Sequence, residues 1–383
     1  MRVAIATESF LPTVNGVTTS VCRVVEQLGE LGHEVLVVCP RPAPHRHAGH
    51  RVVTVPSVSV RSFPTGLPTH EVRAVLDRFA PDVLHVASPF VLGARALRDA
   101  AHLGLPSVAV YQTDMPAYLA QHAGPAGLRA ANTAWRWVRR VHGLAGRTLA
   151  PSSATLAELR AHGVPRTALW RRGVDATSFH PDRRTSAEVA ALRRRLAPGG
   201  EVLVGYVGRL APEKELGRLV EVAGQPGVRL VVVGDGPARR QAEHVLGTAA
   251  AAGSRPMPVF LGHRSGTDLA DAYAALDVFV HPGTRETFGQ TLQEAAASGL
   301  PVVAPARGGP LDLVGHDTTG LLFDPDAPGS LGRAVGRLVL DATARSRMGE
   351  AGRALVGDRS WASLTRELVG HYEDVRAGGV AAA

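Results

Sequence analysis

A chain of 383 residues exceeds the usual size of a single hydrophobic core, so two domains are expected. The net charge of +8 favours anionic partners, but aromatic residues make up only 5% of the chain and it has no RNA- or DNA-binding motif, so nucleic-acid binding is not expected. Cys22 and Cys39 lack metal-ligand spacing and are expected to be small buried hydrophobic residues.

The first part of the chain alternates short β-branched apolar runs with amphipathic stretches, which is typical of an α/β fold with a parallel sheet. Helices are predicted at 17–31 and 71–80. Buried strands are predicted at 2–7, 34–39, 83–87, 107–112 and 148–152. The opening MRVAIATESF is interpreted as a core strand rather than a signal peptide, and no apolar run reaches membrane-spanning length, so a cytoplasmic protein is expected.

This alternation breaks at 171–182, and an arginine-rich helix predicted at 186–196 precedes a second series of strands. Those strands are predicted at 201–208, 228–236, 257–262, 276–283 and 300–305. We therefore expect two Rossmann-like, doubly wound parallel-sheet domains with the ligand site in the interdomain cleft. The expected boundaries are 1–175, 176–359 and, for a last helix and tail that could pack back on the N-terminal domain, 360–383.

The stretch GYVGRLAPEKE contains Lys214, the only lysine of the chain. A predicted strand ends at Gly208 and Arg209 follows it, and strand ends of this fold class face the ligand crevice. Two cations there can hold a diphosphate, the arginine through its planar fork and the lysine as a compact point charge. A solvated loop with ion pairs to Glu213 or Glu215 is an equally open alternative.

A second candidate site lies in HPGTRETFGQTLQEAAASGLPVVAP, which begins at His281. A helix is predicted at 288–298, so Glu286 stands just before it and Glu294 two turns along. A helix N-terminus suits phosphate, and each carboxylate can accept hydrogen bonds from a pair of sugar hydroxyls. In the alternative interpretation, Glu286 is a favourable first-turn charge and Glu294 is a surface residue.

These motifs resemble those of family 4 glycosyltransferases, retaining enzymes of the GT-B fold that use nucleotide sugars. Glu286-x7-Glu294 is similar to the E-x7-E motif of that family, and GRLAPEK is similar to its diphosphate element G-R-L-x-x-E-K. The resemblance covers nearly the whole chain through ESFLPTVNGV, APSSAT, GVDATSF, VVVGDGP and FLGH. ESFLPTVNGV and ETFGQ look most like GDP-mannose-dependent α-mannosyltransferases of glycolipid synthesis.

The resemblance implies a role for each motif residue. Arg209 and Lys214 would bind the donor diphosphate and stabilise the charge that grows as it leaves. Glu286 would hydrogen-bond the donor sugar, and Glu294 would bind the ribose hydroxyls. The other implied donor-binding residues are Asn15, Gly16, Gly208, Gly262, His263, Thr287, Phe288 and Gly289. Fixed cations and a helix N-terminus can stabilise the leaving group without a metal, so a metal-independent hexosyltransferase without a cofactor is expected.

Two further features bear on the chemistry. Asp324-Pro-Asp326 has the Asp-x-Asp spacing by which glycosyltransferases of another fold hold a metal, but it follows a predicted strand and is interpreted as a turn and helix N-cap. Where relatives carry a histidine near the reacting carbon, this chain has YQTDMPAY at 111–118. Asp114 is the polar candidate there, expected to position the acceptor rather than to act as a nucleophile.

The stretch 128–147 carries arginines at helical spacing around Trp135 and Trp137. Such a helix can dock on anionic lipid, or it can be a structural helix with one packed and one solvated face. His142 within it is expected to be a core residue. The arginines are Arg129, Arg136, Arg139, Arg140 and Arg147.

The expected function is transfer of mannose from GDP-mannose to a lipid-linked or glycolipid acceptor, with peripheral contact at the inner face of an anionic membrane. The alternatives are another donor (UDP-glucose, UDP-GlcNAc or UDP-sulfoquinovose), a soluble natural-product acceptor, or a non-enzymatic nucleotide-sugar binding protein. A pyridoxal-phosphate phosphorylase is disfavoured, because it needs a Schiff-base lysine and Lys214 lies in the diphosphate element.

Overall fold

The computed structural model describes residues 1–13, 15–60, 63–67, 71–117, 127–253 and 255–379. The chain divides into two compact units. Unit 1 comprises Met1–Gly173 and the segment from Trp361 onward, and unit 2 comprises Val174–Ser360. Unit 1 is therefore built from two stretches that are distant in the sequence.

Unit 1 is organised around a largely parallel sheet. Its strands are β1 (Arg2–Ala6), β2 (Glu34–Pro40), β3 (Arg46–His47), β4 (His50–Val55), β5 (Ser57–Val60), β6 (Phe63–Gly66), β7 (Val83–Val86), β8 (Ser107–Val110), β9 (Arg147–Ala150) and β10 (Thr167–Leu169). The main sheet has the order β10-β9-β8-β7-β1-β2-β4-β3. Within it β3 runs antiparallel to β4, while β5 and β6 form a separate antiparallel pair.

Helices cover both faces of this sheet. Those that precede unit 2 are α1 (Gly16–Glu30), α2 (Glu71–Phe79), α3 (Val91–Leu103), α4 (Gly127–His142) and α5 (Ser153–Ala161). Because successive strand residues point to opposite faces, Val3 and Ile5 enter the apolar cluster beneath α1, while Ala4 and Ala6 enter the cluster beneath α2 and α3. Both faces are therefore buried, as the continuous apolar runs predict for a parallel sheet.

The last helix completes the core of unit 1. Trp361–Gly379 forms a helix whose Tyr372 is fully buried in the cluster beneath α1. The Tyr372 hydroxyl lies 2.7 Å from Nδ1 of the buried His85, and Trp170 Nε1 donates to the carbonyl oxygen of Leu364 at 2.8 Å. Polar groups at this contact are thus paired as well as buried.

Unit 2 is a second parallel sheet wrapped by helices. Its strands are β11 (Val202–Val207), β12 (Val228–Val233), β13 (Val259–Gly262), β14 (Val278–Val280), β15 (Val302–Pro305) and β16 (Gly320–Phe323). Its helices are α6 (Ala187–Leu196), α7 (Val220–Ala223), α8 (Arg239–Ala252), α9 (Gly266–Ala275), α10 (Gln290–Ala297), α11 (Ser330–Leu340) and α12 (Ala342–Val356), and Trp361–Gly379 in unit 1 is accordingly α13.

The strand order in unit 2 is β13-β12-β11-β14-β15-β16. The order reverses between β11 and β14, so the loops after these two strands leave the sheet at a topological switch point. Ligands of open parallel sheets bind outside the carboxyl ends of the strands at such a point. The prediction of two α/β domains with parallel sheets is confirmed. Within the described residues, no helix is both long and apolar enough to cross a membrane.

Candidate active site

The loop after β11 follows a fixed path. Gly208 has φ of +154°, which L-residues rarely adopt, and a Cβ there would lie 2.8 Å from the Tyr206 hydroxyl. That hydroxyl donates to the carbonyl oxygen of Arg209 at 3.0 Å. The chain then forms a short 3-10 helix at Pro212–Lys214. This path directs the lysine side chain toward the loop after β14.

Lys214 and Glu286 join the two loops. Lys214 Nζ lies 2.7 Å from Glu286 Oε2, and the side chains are 24% and 17% exposed. Gly283 permits this approach, since a Cβ there would lie 3.3 Å from the Lys214 backbone. The hydrogen-bonded partner of the lysine is therefore the motif carboxylate, and not its sequence neighbours Glu213 or Glu215.

Those two glutamates have other partners. Glu213 Oε1 accepts from an Arg209 guanidinium nitrogen at 2.5 Å. Burial opposes ionisation of Glu213, but hydrogen bonds from the backbone and from Arg209 outweigh it and lower its pKa. Glu215 accepts from Thr284 Oγ1 at 2.5 Å and from Arg218 Nε at 2.6 Å. Arg209 and Lys214 thus stand on one loop with separate carboxylate partners, and Glu215 ties this loop to the next a second time.

His281, the first residue after β14, lies beside Glu286. Its side chain is 2% exposed, and its Nε2 is 3.6 Å from Glu286 Oε2. Its ring stacks on Tyr206 with centroids 6.3 Å apart. Burial lowers the pKa of His281 to about 4, so the ring is neutral at pH 7. His281 was not among the predicted site residues, although it ends a predicted strand a few residues before Glu286.

The backbone between Glu286 and α10 is held by two glycines of a distant loop. Gly309 N donates to the Glu286 carbonyl oxygen at 2.8 Å, and a Cβ on Gly309 would lie 2.5 Å from the Phe288 carbonyl oxygen. Similarly, a Cβ on Gly308 would lie 2.8 Å from the Glu286 carbonyl oxygen. Phe288 is only 1% exposed, so its side chain belongs to the core.

The helix predicted to start at about 288 starts two residues later. Gly289 adopts φ of +103° and serves as the N-cap position, and α10 begins at Gln290. Because φ in this range is outside the helical region, the helix cannot include residue 289. Thr287, Phe288 and Gly289 therefore lie in the turn before the helix, next to Glu286.

Glu294 lies on α10, half-buried against α9. The Tyr273 hydroxyl donates to Glu294 Oε2 at 3.0 Å. Burial raises the pKa of Glu294 to about 7, although hydrogen bonds from Tyr273 and Gln290 oppose the shift. The interpretation of Glu294 as a surface residue was therefore wrong, because its helix packs into the core.

Gly262 and His263 stand at the same edge of the sheet but farther along it. The Gly262 carbonyl oxygen accepts from Gly234 N at 2.8 Å, and Gly262 has φ of +72°. His263 is exposed and lies near the Asp235 carboxylate, whose pKa is lowered mainly by hydrogen bonds from Gly236 N and Arg239 and least by the charge of His263. Since β12 separates β13 from β11, these residues are set apart from the Lys214–Glu286 pair.

In unit 1, Asn15 and Gly16 shape the start of α1. Asn15 Oδ1 accepts from Val17 N and Thr18 N at 3.0 Å each, so its side chain is the helix N-cap. Asn15 Nδ2 donates to Ser9 Oγ at 2.6 Å. A Cβ on Gly16 would lie 3.1 Å from a guanidinium nitrogen of Arg172.

Asp114 is likewise engaged with its own loop. Its Oδ1 accepts from Ala117 N at 2.9 Å and from the Tyr111 hydroxyl at 3.3 Å. Burial, and then the Asp114 charge, raise the pKa of Glu158 to about 7. Asp114 therefore lies at the carboxyl end of β8 as predicted, with one oxygen used locally.

The Asp324-Pro-Asp326 segment forms a turn in which Asp324 Oδ1 accepts from Asp326 N at 2.9 Å. The predicted N-cap role was wrong, because Gly329 occupies the N-cap position of α11 with φ of +73°. Asp326 instead pairs with Arg307 at 2.6 Å. Across the described residues, no three His, Cys, Asp or Glu side chains form a group that could hold a metal.

Helix α4 combines a packed and a solvated face. Trp135 is buried and stacks on His162 with ring centroids 3.8 Å apart. His142 is a core residue, and burial lowers its pKa to about 4. On the other face, Trp137 is 38% exposed. The exposed arginines of this helix are Arg129, Arg136, Arg139 and Arg140.

Comparison with known proteins identifies the family of this chain. Residues 14–178 match the family described as "Glycosyltransferase Family 4", and residues 190–355 match "Glycosyl transferases group 1". The chain is 48% identical to the GDP-mannose-dependent alpha-mannosyltransferase of Mycolicibacterium smegmatis, over 98% of both chains. The chain belongs to glycosyltransferase family 4. It is also 42% identical to the enzyme of the same name from Corynebacterium glutamicum, over 98% of this chain and 89% of that one.

Solved structures agree on the fold of this family 4 glycosyltransferase. The sucrose-phosphate synthase of Thermosynechococcus elongatus superposes with a TM-score of 0.80 over 98% of this chain and 99% of that one, at 22% identity. Such low identity supports the fold alone. The predicted GT-B fold and the predicted family resemblance are thus confirmed.

Proposed function

We propose that the protein transfers mannose from GDP-mannose, with retention of configuration, to a lipid-linked or glycolipid acceptor. Relatives 42% and 48% identical are named for GDP-mannose and for α-mannosyl transfer, which supports the donor and the sugar. The acceptor class rests on the sequence resemblance and on the exposed basic helix described above.

The observation that carries the proposal is the 2.7 Å ion pair between Lys214 and Glu286 at the switch point of unit 2. It sets a cation for phosphate and a carboxylate for sugar hydroxyls side by side, as a bound nucleotide sugar requires. Arg209 stands on the same loop and presents a half-exposed guanidinium. These groups fit a donor whose diphosphate faces the lysine and whose sugar faces Glu286.

The chemistry follows from where charge develops. The bond between the mannose anomeric carbon and the phosphate oxygen breaks, and its electron pair stays on the departing GDP. A new bond from an acceptor hydroxyl oxygen forms on the same face of the sugar, and the hydroxyl proton passes to a phosphate oxygen. Lys214 and Arg209 stabilise the diphosphate charge, and fixed charges in a partly buried site do so without reorganising.

The remaining motif residues have defined tasks in this proposal, in which Asn15 and Gly208 shape the donor-side loops after β1 and β11. Glu294 accepts hydrogen bonds from the ribose hydroxyls, Gly16 lets the backbone approach the phosphates, and Asp114 orients the acceptor through the oxygen not bound to Ala117. Gly262 and His263 lie beside the base. The backbone N–H groups of Thr287, Phe288 and Gly289 face the sugar and phosphate.

Peripheral contact with anionic lipid at the inner face of the membrane is the second part of the proposal. On α4, Trp137 is 38% exposed between arginines of the solvated face, and the whole chain carries a net charge of +8. An exposed tryptophan among cations suits a headgroup region that is both apolar and anionic. Such contact would bring a lipid acceptor to the enzyme.

A donor panel tests the proposal. Thermal shifts and turnover are measured with GDP-mannose, UDP-glucose, UDP-GlcNAc and UDP-sulfoquinovose, since a ligand that binds the folded state raises the melting temperature. We expect GDP-mannose to give the largest shift and the only turnover. Stabilisation by a UDP-sugar and not by GDP-mannose contradicts the donor assignment.

The enzyme and binder alternatives are separated by Glu286→Ala, with Glu350→Ala at an exposed position of α12 as the matched control. We expect Glu286→Ala to abolish turnover with added lipid extract, whereas the control keeps it. If the wild-type chain binds GDP-mannose but shows no turnover with any acceptor, the protein is a nucleotide-sugar binding protein.

A further inference from the structure

A second group of cations lies at the amino edge of the unit 1 sheet, opposite the edge that carries Asn15, Gly16 and Asp114. A cavity of about 340 Å³ lies there between the last turn of α2 and the β3–β4 hairpin. Four arginines line it: Arg2, Arg46, Arg51 and Arg78.

The arginines meet because of the strand period. Residues two apart share a face of the sheet, so Arg2 lies on the same face as Ala4, and Arg51 on the same face as Val53. Ala4 belongs to the apolar cluster beneath α2, and Val53 packs against that cluster. Arg2 and Arg51 therefore lie on the face of the sheet that α2 covers, just beyond the end of that helix. Arg78 lies in the last turn of α2.

The cavity has more cations than carboxylates. Glu34, the one carboxylate among its lining residues, pairs with Arg2 at 2.9 Å. The Arg2 guanidinium also lies 4.6 Å from the centroid of the Phe79 ring. Within the part of the chain that the structure describes, Arg46, Arg51 and Arg78 form no ion pair with a carboxylate.

The hairpin itself concentrates positive charge. Arg46 and Arg51 are register partners in the antiparallel β3–β4 pair, and like charges directly opposite each other destabilise a sheet. Burial, and then the charges of His47 and Arg46, lower the pKa of His50 on the same hairpin. An anion in the cavity would relieve this repulsion.

We propose that this cavity is a binding site for a soluble, phosphate-bearing small molecule with at least two negative charges. The planar fork of arginine matches phosphate oxygens, and the cavity volume accommodates more than a single phosphate group. Phe79 and Val75 add an apolar wall for the rest of the molecule. The site is independent of the donor chemistry proposed above, because none of its lining residues is among the proposed donor or acceptor residues.

Calorimetric titration of the 383-residue chain with inorganic pyrophosphate at low salt tests the proposal. Lys214→Ala is the background, because it weakens the proposed donor-diphosphate site in unit 2. We expect pyrophosphate to bind this variant, and binding to weaken about tenfold or more when Arg46→Gln and Arg51→Gln are added, since two charge-assisted contacts are lost. Pyrophosphate at a fixed concentration should raise the melting temperature of the first variant more than that of the second.

The matched control adds Arg98→Gln and Arg160→Gln instead, which removes the same charge from exposed positions of unit 1 outside the cavity. We expect this control to keep the affinity for pyrophosphate. An equal loss in both triple variants, or no binding to Lys214→Ala, overturns the proposal. Loss of phosphatidylglycerol vesicle binding in Arg46→Gln/Arg51→Gln, with pyrophosphate affinity unchanged, also overturns it, because the ligand would then be a lipid headgroup.

Discussion

The carboxyl edges of the two sheets differ in the partners of their motif side chains. In unit 2, side chains of one loop bind side chains of another, as in the Lys214–Glu286 and Thr284–Glu215 contacts. In unit 1, Asn15 and Asp114 accept hydrogen bonds from nearby backbone, although Gln112 also accepts one from the distant Arg172 side chain. The Lys214–Glu286 contact is thus already formed within unit 2, whereas Asn15 and one oxygen of Asp114 stabilise the shape of their own loops.

The largest expected effect is at Lys214. Lys214→Ala removes the cation nearest Glu286 and should lower kcat about 100- to 1000-fold, as loss of one preorganised electrostatic contact does elsewhere. Lys214→Arg should restore activity only in part, because a planar guanidinium on a longer side chain does not reproduce the compact 2.7 Å contact of the ammonium with Glu286. Steady-state kinetics measure both, with circular dichroism and melting temperature as the fold check.

A double-mutant cycle sharpens this result. If the lysine and Glu286 act as one unit, Lys214→Ala/Glu286→Gln should lose little more activity than the worse single variant. Full additivity of the two losses would mean that the ion pair is incidental. A fully active Lys214→Ala enzyme would show that the Lys214–Glu286 contact in unit 2 does not contribute to turnover.

The next effect is at His281. His281→Phe keeps a ring against Tyr206 but removes the nitrogen 3.6 Å from Glu286, so kcat should fall about three- to tenfold with little change in melting temperature. His85→Phe is the control, since this buried histidine binds Tyr372 in the core of unit 1. We expect the control to lose stability and to keep kcat. If His281→Phe instead loses stability and keeps kcat, His281 has a purely structural role.

A smaller effect is expected from pH. The pKa of Glu294 is raised to about 7, so the carboxylate that would accept ribose hydroxyls is mostly ionised at pH 8 and mostly protonated at pH 6. The KM for the donor should therefore rise about three- to fivefold from pH 8 to pH 6. Titration of a single group can change KM by at most about tenfold for each pH unit, so this rise lies within the limit. Initial-rate kinetics of wild type and Glu294→Gln measure this, and the variant should lack the trend.

The same carboxyl affects stability with a definite sign. Because its folded pKa lies above the usual value of 4.5, the folded state binds more protons between pH 4.5 and pH 7. Its contribution to the free energy of unfolding should then fall as pH rises through that interval and stay constant above it. A Glu294→Gln variant whose stability shows the same pH slope as wild type would contradict the shift.

The smallest expected effect on turnover is at Asn15. Asn15→Ala removes the N-cap of α1 and should lower the free energy of unfolding by about 1 kcal/mol. Asn15→Asp keeps an acceptor for Val17 N and Thr18 N and should retain most of the stability and turnover. Denaturant unfolding and steady-state kinetics measure both effects. A 100-fold loss of turnover in Asn15→Asp, with stability kept, would show that Asn15 binds the donor directly. The two carboxyl edges would then not differ in the way described above.

The sequence predicted the fold and the site loops well where the information is local. Apolar runs mark the strands, and the spacing of Arg209, Lys214, Glu286 and Glu294 places these residues at strand ends and on α10. It also predicted Asp114 at the end of β8. These features depend on neighbours within a few residues.

The features that it missed depend on contacts between distant segments. Gly283, Gly308 and Gly309 are required because backbone passes close to each of them, which no local pattern reveals. The start of α10 shifted because Gly289 takes a left-handed conformation. The arginine cavity joins the start of β1, a hairpin and the end of α2, so it is invisible until the sheet order is known.

The position of α13 has a consequence for synthesis of the chain. Domains usually fold as they emerge from the ribosome, the N-terminal one first. Here the core of unit 1 contains Leu368, Tyr372 and Val375, which are translated after all of unit 2. Unit 2 can therefore reach its final fold earlier, while nascent unit 1 leaves Trp170 and His85 without their partners until the last helix arrives.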